Sequence, residues 1–575
     1  MQKNRMPGGL KSGKVAALMA DMLADYGVEF IFGMEDPVQL YHHLDRERIR
    51  PVTIRDEKHG AIMAHGYAKV SGRPGICAAT FGPGATNLIT GLLEAQKSSI
   101  PVIAFIQEIP AAQRDRHASS EIDHVAAMSP FTKKVYRVDV PERCCEVVRR
   151  AFRMATSGRP GPVAVLCPAD VMTMETEAHT YCEPEYAFFP AQRPRPGRAE
   201  IDAAAHMLAS AQRPVIIAGG GSILSGASAE VVALAERLGA PVATTMNGRG
   251  TIPDTHRLAT GALGSSTGGT LGRGRIANEA VAGADVVLIA GSRTGQICYL
   301  NWEQPGPDTK VIHIDIDPEE PGRNLRTDIA LIGDVRETLA ELIAHPDTDR
   351  PGVADEAGKR YAADKEQWRS EFRQVAFSNQ MPARPERILA EVSERMDEDT
   401  ILVNDASYIS GWTFSHIDNV ATGAHILSPR GTGGIGWSVP AALGAKLASP
   451  SSKVICMTGD GAFGYVMAEL ETAARCNISI VVIVFNNATL GFQRHFENKL
   501  FGHYGECDLS DIDHAALARC LNCAGERVSD PAKLAEAIDR GLQSGSLYLI
   551  DAVIDENAMA PIIGLDDRAQ VLETH

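Results

Sequence analysis

Two consecutive apolar runs of this chain end on polar groups able to share one cation. Asp460 closes KVICMTGD, and Asn487 closes ISIVVIVFNN. A carboxylate, an amide oxygen and a neighbouring backbone carbonyl form an all-oxygen donor set suited to Mg²⁺, which usually completes its shell with phosphate. Gly459 and Gly461 flank the acid and let the backbone come close to a ligand. The chemistry implied is half of a metal–diphosphate clamp.

That chemistry needs both side chains at one edge of a sheet. KVICMTGD is short and ends on glycine and aspartate, AELETAARC carries good helix formers, and ISIVVIVFNN reads as a second strand. Strand, helix and strand over roughly 30 residues make a right-handed βαβ unit with parallel strands. The ends of such strands lie side by side at the carboxyl edge, where these sheets bind ligands. A Gly-Asp-Gly alone is an ordinary βα turn. With the helix and the closing Asn-Asn, the pattern is far more specific.

The combination resembles the signature of the thiamine diphosphate enzymes, which opens with GDG and closes with NN. The resemblance implies that Asp460, the Asn487 side chain and the Thr489 carbonyl hold Mg²⁺ against the diphosphate, with Gly459, Gly461 and Ala462 at the same turn. The cofactor's own aminopyrimidine removes the C2 proton when a carboxyl group bonds its ring nitrogen. In VTIRDEKHGAIMAHGYAKV, Glu57 matches the family's glutamate, after a short strand and before a helix of the GYA type. Asp56 stands where the family often has histidine. Read without the family, Glu57 is an acid favoured at a helix N-terminus. TFGPGATNL forms a tight strand-to-helix loop in which Gly82 and Gly84 permit close approach. By resemblance, Gly82 and Asn87 lie beside the pyrimidine. RGTGGIGWSVPAALGA matches the segment under the cofactor, with Gly433 in it and Ile435 as the wedge between the two rings. A buried core isoleucine is the plain reading at that position, and the two are compatible. Ser407 and Tyr408 join the cofactor set by the same resemblance.

The chain has 575 residues, enough for three or four domains. Forty-four per cent hydrophobic and 22% charged residues fit a soluble globular protein, and a net charge of −16 argues against a nucleic-acid partner. No apolar run reaches membrane-spanning length, and the first residues lack the apolar segment of a signal peptide. Eleven scattered cysteines fit a reducing, cytoplasmic setting. The lone pair Cys520 and Cys523 falls in HAALARCLNCAG, which reads as helix.

Three blocks alternate strand-like and helical patterns, at about 12–175, 192–345 and 380–556. The fold class expected is α/β, with a doubly wound parallel sheet in each block. A proline-rich linker (CEPEYAFFPAQRPRPGR) and a charged helix from about Asp355 to Ser378 separate the blocks. This plan resembles the pyrimidine-binding, central and diphosphate-binding domains of the acetolactate synthase-like branch. The resemblance implies a homodimer or homotetramer with sites between subunits.

The chain departs from that branch at four places expected to line the substrate end. Glu35 and Asp36 replace a Pro-Gly pair, Glu108 replaces a glutamine, Ser119 and Ser120 replace Phe-Gln, and SYISGW replaces GQHQMW. In the central block, MNGRGTIPDTH and LIAGSRTGQ resemble flavin-binding segments. They offer Arg249, Gly291 and Arg293, with Asp315 and Asp334 farther on, although RTGQI lacks the acid–arginine pair of RFDDR. FAD, an ADP-like group and an empty domain all remain open there. His42 and His43 read as solvated helix residues. The function expected is thiamine diphosphate- and Mg²⁺-dependent cleavage or carboligation of a small-molecule 2-oxo acid, through a C2 ylide and an enamine. The alternatives are a 2-hydroxyacyl-CoA lyase or an oxalyl-CoA or 2-oxo acid decarboxylase, and a non-catalytic paralogue. Retention of Glu57, Asp460 and Asn487 argues against the last.

Overall fold

Short runs of β-branched and small apolar residues build three six-stranded parallel sheets in the computed structural model, which describes residues 9–349, 353–423 and 426–565. The first sheet is ordered Arg50–Thr53, Phe30–Gly33, Gly75–Ala79, Val102–Glu108, Val163–Pro168, Lys134–Arg137. The second is ordered Ala259–Ala262, Val242–Thr244, Pro214–Ala218, Val286–Ala290, Lys310–Asp315, Ile329–Ile332. The third is ordered Ile426–Leu427, Thr400–Asn404, Lys453–Gly459, Val481–Asn486, Tyr548–Val553, Ala524–Val528. Counted along the chain, the first and third sheets share the order 2-1-3-4-6-5, whereas the second has 3-2-1-4-5-6. Each order reverses beside its own first strand, and a reversal opens a ligand-binding crevice at the carboxyl edge. The expected α/β architecture is present in all three.

The strands are apolar along their whole length because both faces are covered. In the second sheet, Ile216 and Leu288 belong to one buried cluster, while their neighbours Ile217 and Ile289 belong to another. The expected charged helix spans Val353–Ala376, and its apolar stripe of Tyr361, Trp368 and Phe372 enters the core around the third sheet. The expected helix at HAALARCLNCAG is shorter than the pattern suggests. It ends at Cys520, because Asn522 takes a left-handed φ of 61° and the chain then enters the strand Ala524–Val528. No disulfide joins the described cysteines.

The chain forms two compact units. One comprises the chain up to Gln192 together with Pro429–Pro450 and Val466–Ile478. The other comprises Arg193–Ser428, Ser451–Tyr465 and the chain from Ser479 onward.

Within the first unit, the helix Glu57–Ser71 starts where it does because the Asp56 side chain accepts the Lys58 N–H at 2.8 Å. Asp56, at the position where histidine was the expected residue, is therefore the N-cap that brings Glu57 into the first turn. Gly72 closes the helix at a φ of 70°. Glycines also let this helix touch the helix Ser438–Ala448 backbone to backbone. A Cβ on Gly66 would stand 2.2 Å from the Ala441 carbonyl oxygen, and one on Gly444 would stand 2.0 Å from that of Met63. The glycine pair sets the position of Glu57 relative to the loop that precedes the second helix.

Candidate active site

In the first unit, Glu57 and Gly82 sit at the ends of successive sheet strands. Glu57 follows the strand Arg50–Thr53 and is 9% exposed. Its Oε2 accepts the Asn87 Nδ2 at 3.0 Å. Gly84 makes room for the acid, since a Cβ there would lie 3.1 Å from Glu57 Oε1. Gly82 has a φ of 63° as the N-cap of the short helix Pro83–Asn87, a conformation that favours glycine. Glu57, Asn87 and the Gly82 turn are thus brought together.

Asp36 lies close to this acid. Burial pushes the Asp36 carboxyl above its usual range, and the Glu57 charge adds to that, against hydrogen bonds from Thr80 and the Val38 N–H. Its neighbour Glu35 takes a φ of 63°, points to solvent and pairs with Arg46 at 3.8 Å.

The loop carrying Gly433 and Ile435 belongs to the same unit. Gly433 and Gly436 have φ values of 75° and 74°, and between them the Ile435 side chain stands 38% exposed. The Ile435 side chain is thus exposed within this unit and is not part of its core. The loop's base is pinned by Glu94. Its Oε1 accepts the Gly431 N–H at 2.8 Å, and its Oε2 accepts the Thr432 N–H at 2.7 Å and the Thr432 hydroxyl at 2.6 Å.

In the second unit, the register pairs Gly459 with Phe485, so Asp460 and Asn487 emerge from adjacent parallel strand ends. Asp460 Oδ1 accepts the Gly461 N–H at 2.8 Å, and Oδ2 accepts the Ala488 N–H at 2.7 Å. Asn487 Oδ1 accepts the Thr489 N–H at 3.4 Å, and Thr489 is held by its hydroxyl to the Cys507 carbonyl at 3.1 Å. Burial pushes the Asp460 carboxyl up to about 6, above the 3.8 of a solvated aspartate, although three backbone N–H groups pull it down. The Asp460 carboxylate, the Asn487 amide oxygen and the Thr489 carbonyl make an all-oxygen donor set at adjacent strand ends, of the kind that suits Mg²⁺. These residues fit the ion.

Ser407 and Tyr408 follow the strand Thr400–Asn404, across the order reversal from Asp460. Ser407 and Ala488 hold φ values of 62° and 52°, strained for residues with a Cβ, and both stand at this crevice. The Tyr408 hydroxyl meets His495 Nδ1 at 3.0 Å. A Cβ on Gly459 would meet only Ile409, at 4.0 Å, whereas one on Gly461 would meet Leu490 at 2.8 Å; Ala462 is buried.

The five central candidates separate. Gly291, Arg293 and Asp315 gather at the carboxyl ends of the strands Val286–Ala290 and Lys310–Asp315, and Gly291 packs against Gly219 and Gly221 at the order reversal. Arg249 is only 4% exposed and makes a two-pronged ion pair with Asp254 at 2.7 and 2.8 Å. Asp334 caps the helix Val335–Ala344 and pairs with Arg193 at 3.0 Å.

Models of the thiamine pyrophosphate enzyme N-terminal TPP-binding, central and C-terminal TPP-binding domains match residues 13–127, 201–342 and 405–552. A probable acetolactate synthase large subunit of Methanocaldococcus jannaschii is 34% identical, over 96% of this chain and 93% of the relative. The chain belongs to the thiamine diphosphate enzyme family, in its acetolactate synthase-like branch. Acetolactate synthases of Mycobacterium bovis and Arthrospira platensis are each 32% identical, over 90% and 86% of this chain and 84% and 86% of the relatives.

Membership in the thiamine diphosphate family sharpens the departures. Asp36 stands beside Glu57, whereas Glu108 is buried and paired. It is 3% exposed, and Arg137 grips it through two bonds of 2.7 and 2.8 Å. Glu108 is thus an acid buried with its own cation. Sequence reasoning also missed Glu94, His124 and His495. The one signal for Glu94 is an acid among apolar residues in the helix Ile89–Ser98; its partners Gly431 and Thr432 are too far along the chain for spacing to reveal.

Proposed function

We propose that this protein is a thiamine diphosphate- and Mg²⁺-dependent enzyme that cleaves a 2-oxo acid and joins its acyl unit to an acceptor, as its acetolactate synthase relatives are named for doing. The observation that carries the reading is the buried Glu57 held by Asn87 in a capped first turn, in a chain that also retains Asp460 and Asn487 at adjacent strand ends. Thiamine diphosphate, when bound, supplies the carbon nucleophile and the electron sink for cleavage beside a carbonyl. Glu57 bonds the aminopyrimidine nitrogen and exchanges a proton there, and Asn87 orients its carboxyl. Asp460, Asn487 and the Thr489 carbonyl hold Mg²⁺ and through it the diphosphate. Ile435 would offer the cofactor an exposed apolar side chain, and in the second unit the Tyr408 hydroxyl is positioned by His495. The active form is a homodimer or homotetramer.

The order reversal of the second sheet supports a second ligand. The Gly219–Gly221 turn, Gly291, Arg293 and Asp315 stand where such sheets take dinucleotides, and FAD or the ADP portion of a CoA substrate fits that place. A CoA occupant is the observation-based second reading, an acyl-CoA lyase or decarboxylase.

The test is carbon dioxide release and product mass from pyruvate and larger 2-oxo acids, with and without thiamine diphosphate and Mg²⁺. Cofactor-dependent release with a carboligated product is expected. Turnover that needs no thiamine diphosphate would overturn the reading, and activity confined to CoA thioesters would transfer it to the lyase.

A further inference from the structure

We infer that His124, held by Glu108, is a positioning residue that fixes the cofactor-side turn at Gly82. The inference rests on the reading of Gly82 as part of the thiamine diphosphate site.

The Gly82 N–H donates to His124 Nε2 at 3.0 Å. An imidazole nitrogen that accepts a hydrogen bond carries no proton, so the neutral ring's proton sits on Nδ1. That nitrogen lies 3.4 Å from Glu108 Oε1, and both side chains are almost wholly buried. Glu108 thus selects the tautomer that leaves Nε2 free to receive the glycine. Glu108 is itself fixed by the Arg137 grip and by Arg114 Nη2 at 3.3 Å. Burial alone would raise its carboxyl, but bonds from His124 and Arg137 outweigh that and hold it below the usual range.

The same segment braces the turn from a second side. A Cβ on Gly82 would stand 2.6 Å from the Ser120 carbonyl oxygen and 2.8 Å from its Cβ. Asp123, whose side chain accepts the Ala126 N–H at 3.0 Å, starts the helix His124–Met128 and so places the imidazole. Two departures from the family pattern, Glu108 and Ser120, therefore belong to one assembly around Gly82. They rebuild the support of the cofactor turn.

The test compares the full-length His124→Leu and His124→Gln proteins. Leucine removes the acceptor, whereas the glutamine amide oxygen can replace it. Thiamine diphosphate is titrated in the presence of Mg²⁺, followed by tryptophan fluorescence, alongside thermal melting, kcat and the KM for a 2-oxo acid. The expected result is about a tenfold weaker binding of thiamine diphosphate to His124→Leu at a nearly unchanged melting temperature, with His124→Gln within about threefold of wild type. The KM for the 2-oxo acid at saturating cofactor should not move. Equal cofactor binding by wild type and His124→Leu, or equal weakening in both variants, would overturn the inference.

If His124→Leu does not fold, His124→Met, which has only a weak acceptor, takes its place. Failure of both to fold beside a normal His124→Gln would mean that the bond holds the domain rather than the turn, which also overturns the inference. Wild-type protein that binds no thiamine diphosphate would refute the functional reading, and this inference with it. Wild-type binding with unaltered variants would refute this inference alone.

Discussion

Asn87 Nδ2 donates to Glu57 Oε2 at 3.0 Å, tying the acid at the start of one helix to the end of another. The bond leaves Glu57 Oε1 beside the space that Gly84 keeps clear. Replacing Glu57 by glutamine preserves size and the Asn87 contact while removing the exchangeable carboxyl proton. We expect kcat to fall by about 10² to 10⁴ in Glu57→Gln, with thiamine diphosphate affinity changed by less than about threefold. Steady-state kinetics beside a cofactor titration check this. Asn87→Ala should lose less activity, because it releases the carboxyl without removing it.

Much of this arrangement is legible in the sequence. GDG, Asn-Asn and TFGPGATN are local patterns, each made by one strand end and one turn, so spacing alone places them. The three sheets are legible for the same reason. Glu94 and His124 are not. Each acts on a backbone group in another segment: Glu94 on Gly431, His124 on Gly82. The role of Asp56 was hidden by the family comparison, which marks it as a departure, whereas local helix chemistry makes it the cap. The pairing of Glu108 was hidden for a related reason, because the sequence shows an acid and not the Arg137 that occupies it.

Glu94 makes three bonds to Gly431 and Thr432 and a fourth to Ser98 at 2.7 Å, all within a site where it is only 2% exposed. Glu94→Gln turns an amide N–H toward a backbone N–H. A loss of about 2 kcal/mol in urea unfolding is expected, with weakened thiamine diphosphate binding because the Ile435 loop is released. Unchanged stability and binding would show that the loop holds its shape without the acid.

His65 supplies a pH dependence. It lies in the Glu57 helix with its ring edge-on to Trp437 at 5.2 Å, and burial lowers it to about 3 from the usual 6.5. The unfolded chain therefore binds a proton below about pH 6.5 that the folded protein refuses, and stability falls as the pH falls through that window. This one group should cost roughly 2 kcal/mol by pH 5. Urea midpoints of wild type and His65→Leu at neutral pH and at about pH 5 test it. The variant should lose less on acidification than wild type.

The central domain gives a separable prediction. Arg249 is committed to Asp254 and to the Ile417 carbonyl at 3.0 Å, so Arg249→Met should destabilise the protein by on the order of 3 kcal/mol. Nucleotide bound at the switch point should be unaffected. Arg293→Ala should instead lower the flavin or CoA content. Flavin absorbance, CoA binding and thermal melts of the two variants decide it.

The most direct measurement of the central claim is the rate at which the C2 proton of bound thiamine diphosphate exchanges with deuterium, read by proton magnetic resonance after acid quench. Wild-type protein with Mg²⁺ should exchange that proton orders of magnitude faster than the free cofactor, and Glu57→Gln, with the cofactor still bound, should lose that acceleration. Fast exchange in Glu57→Gln, or exchange in wild type no faster than in solution, would contradict the account.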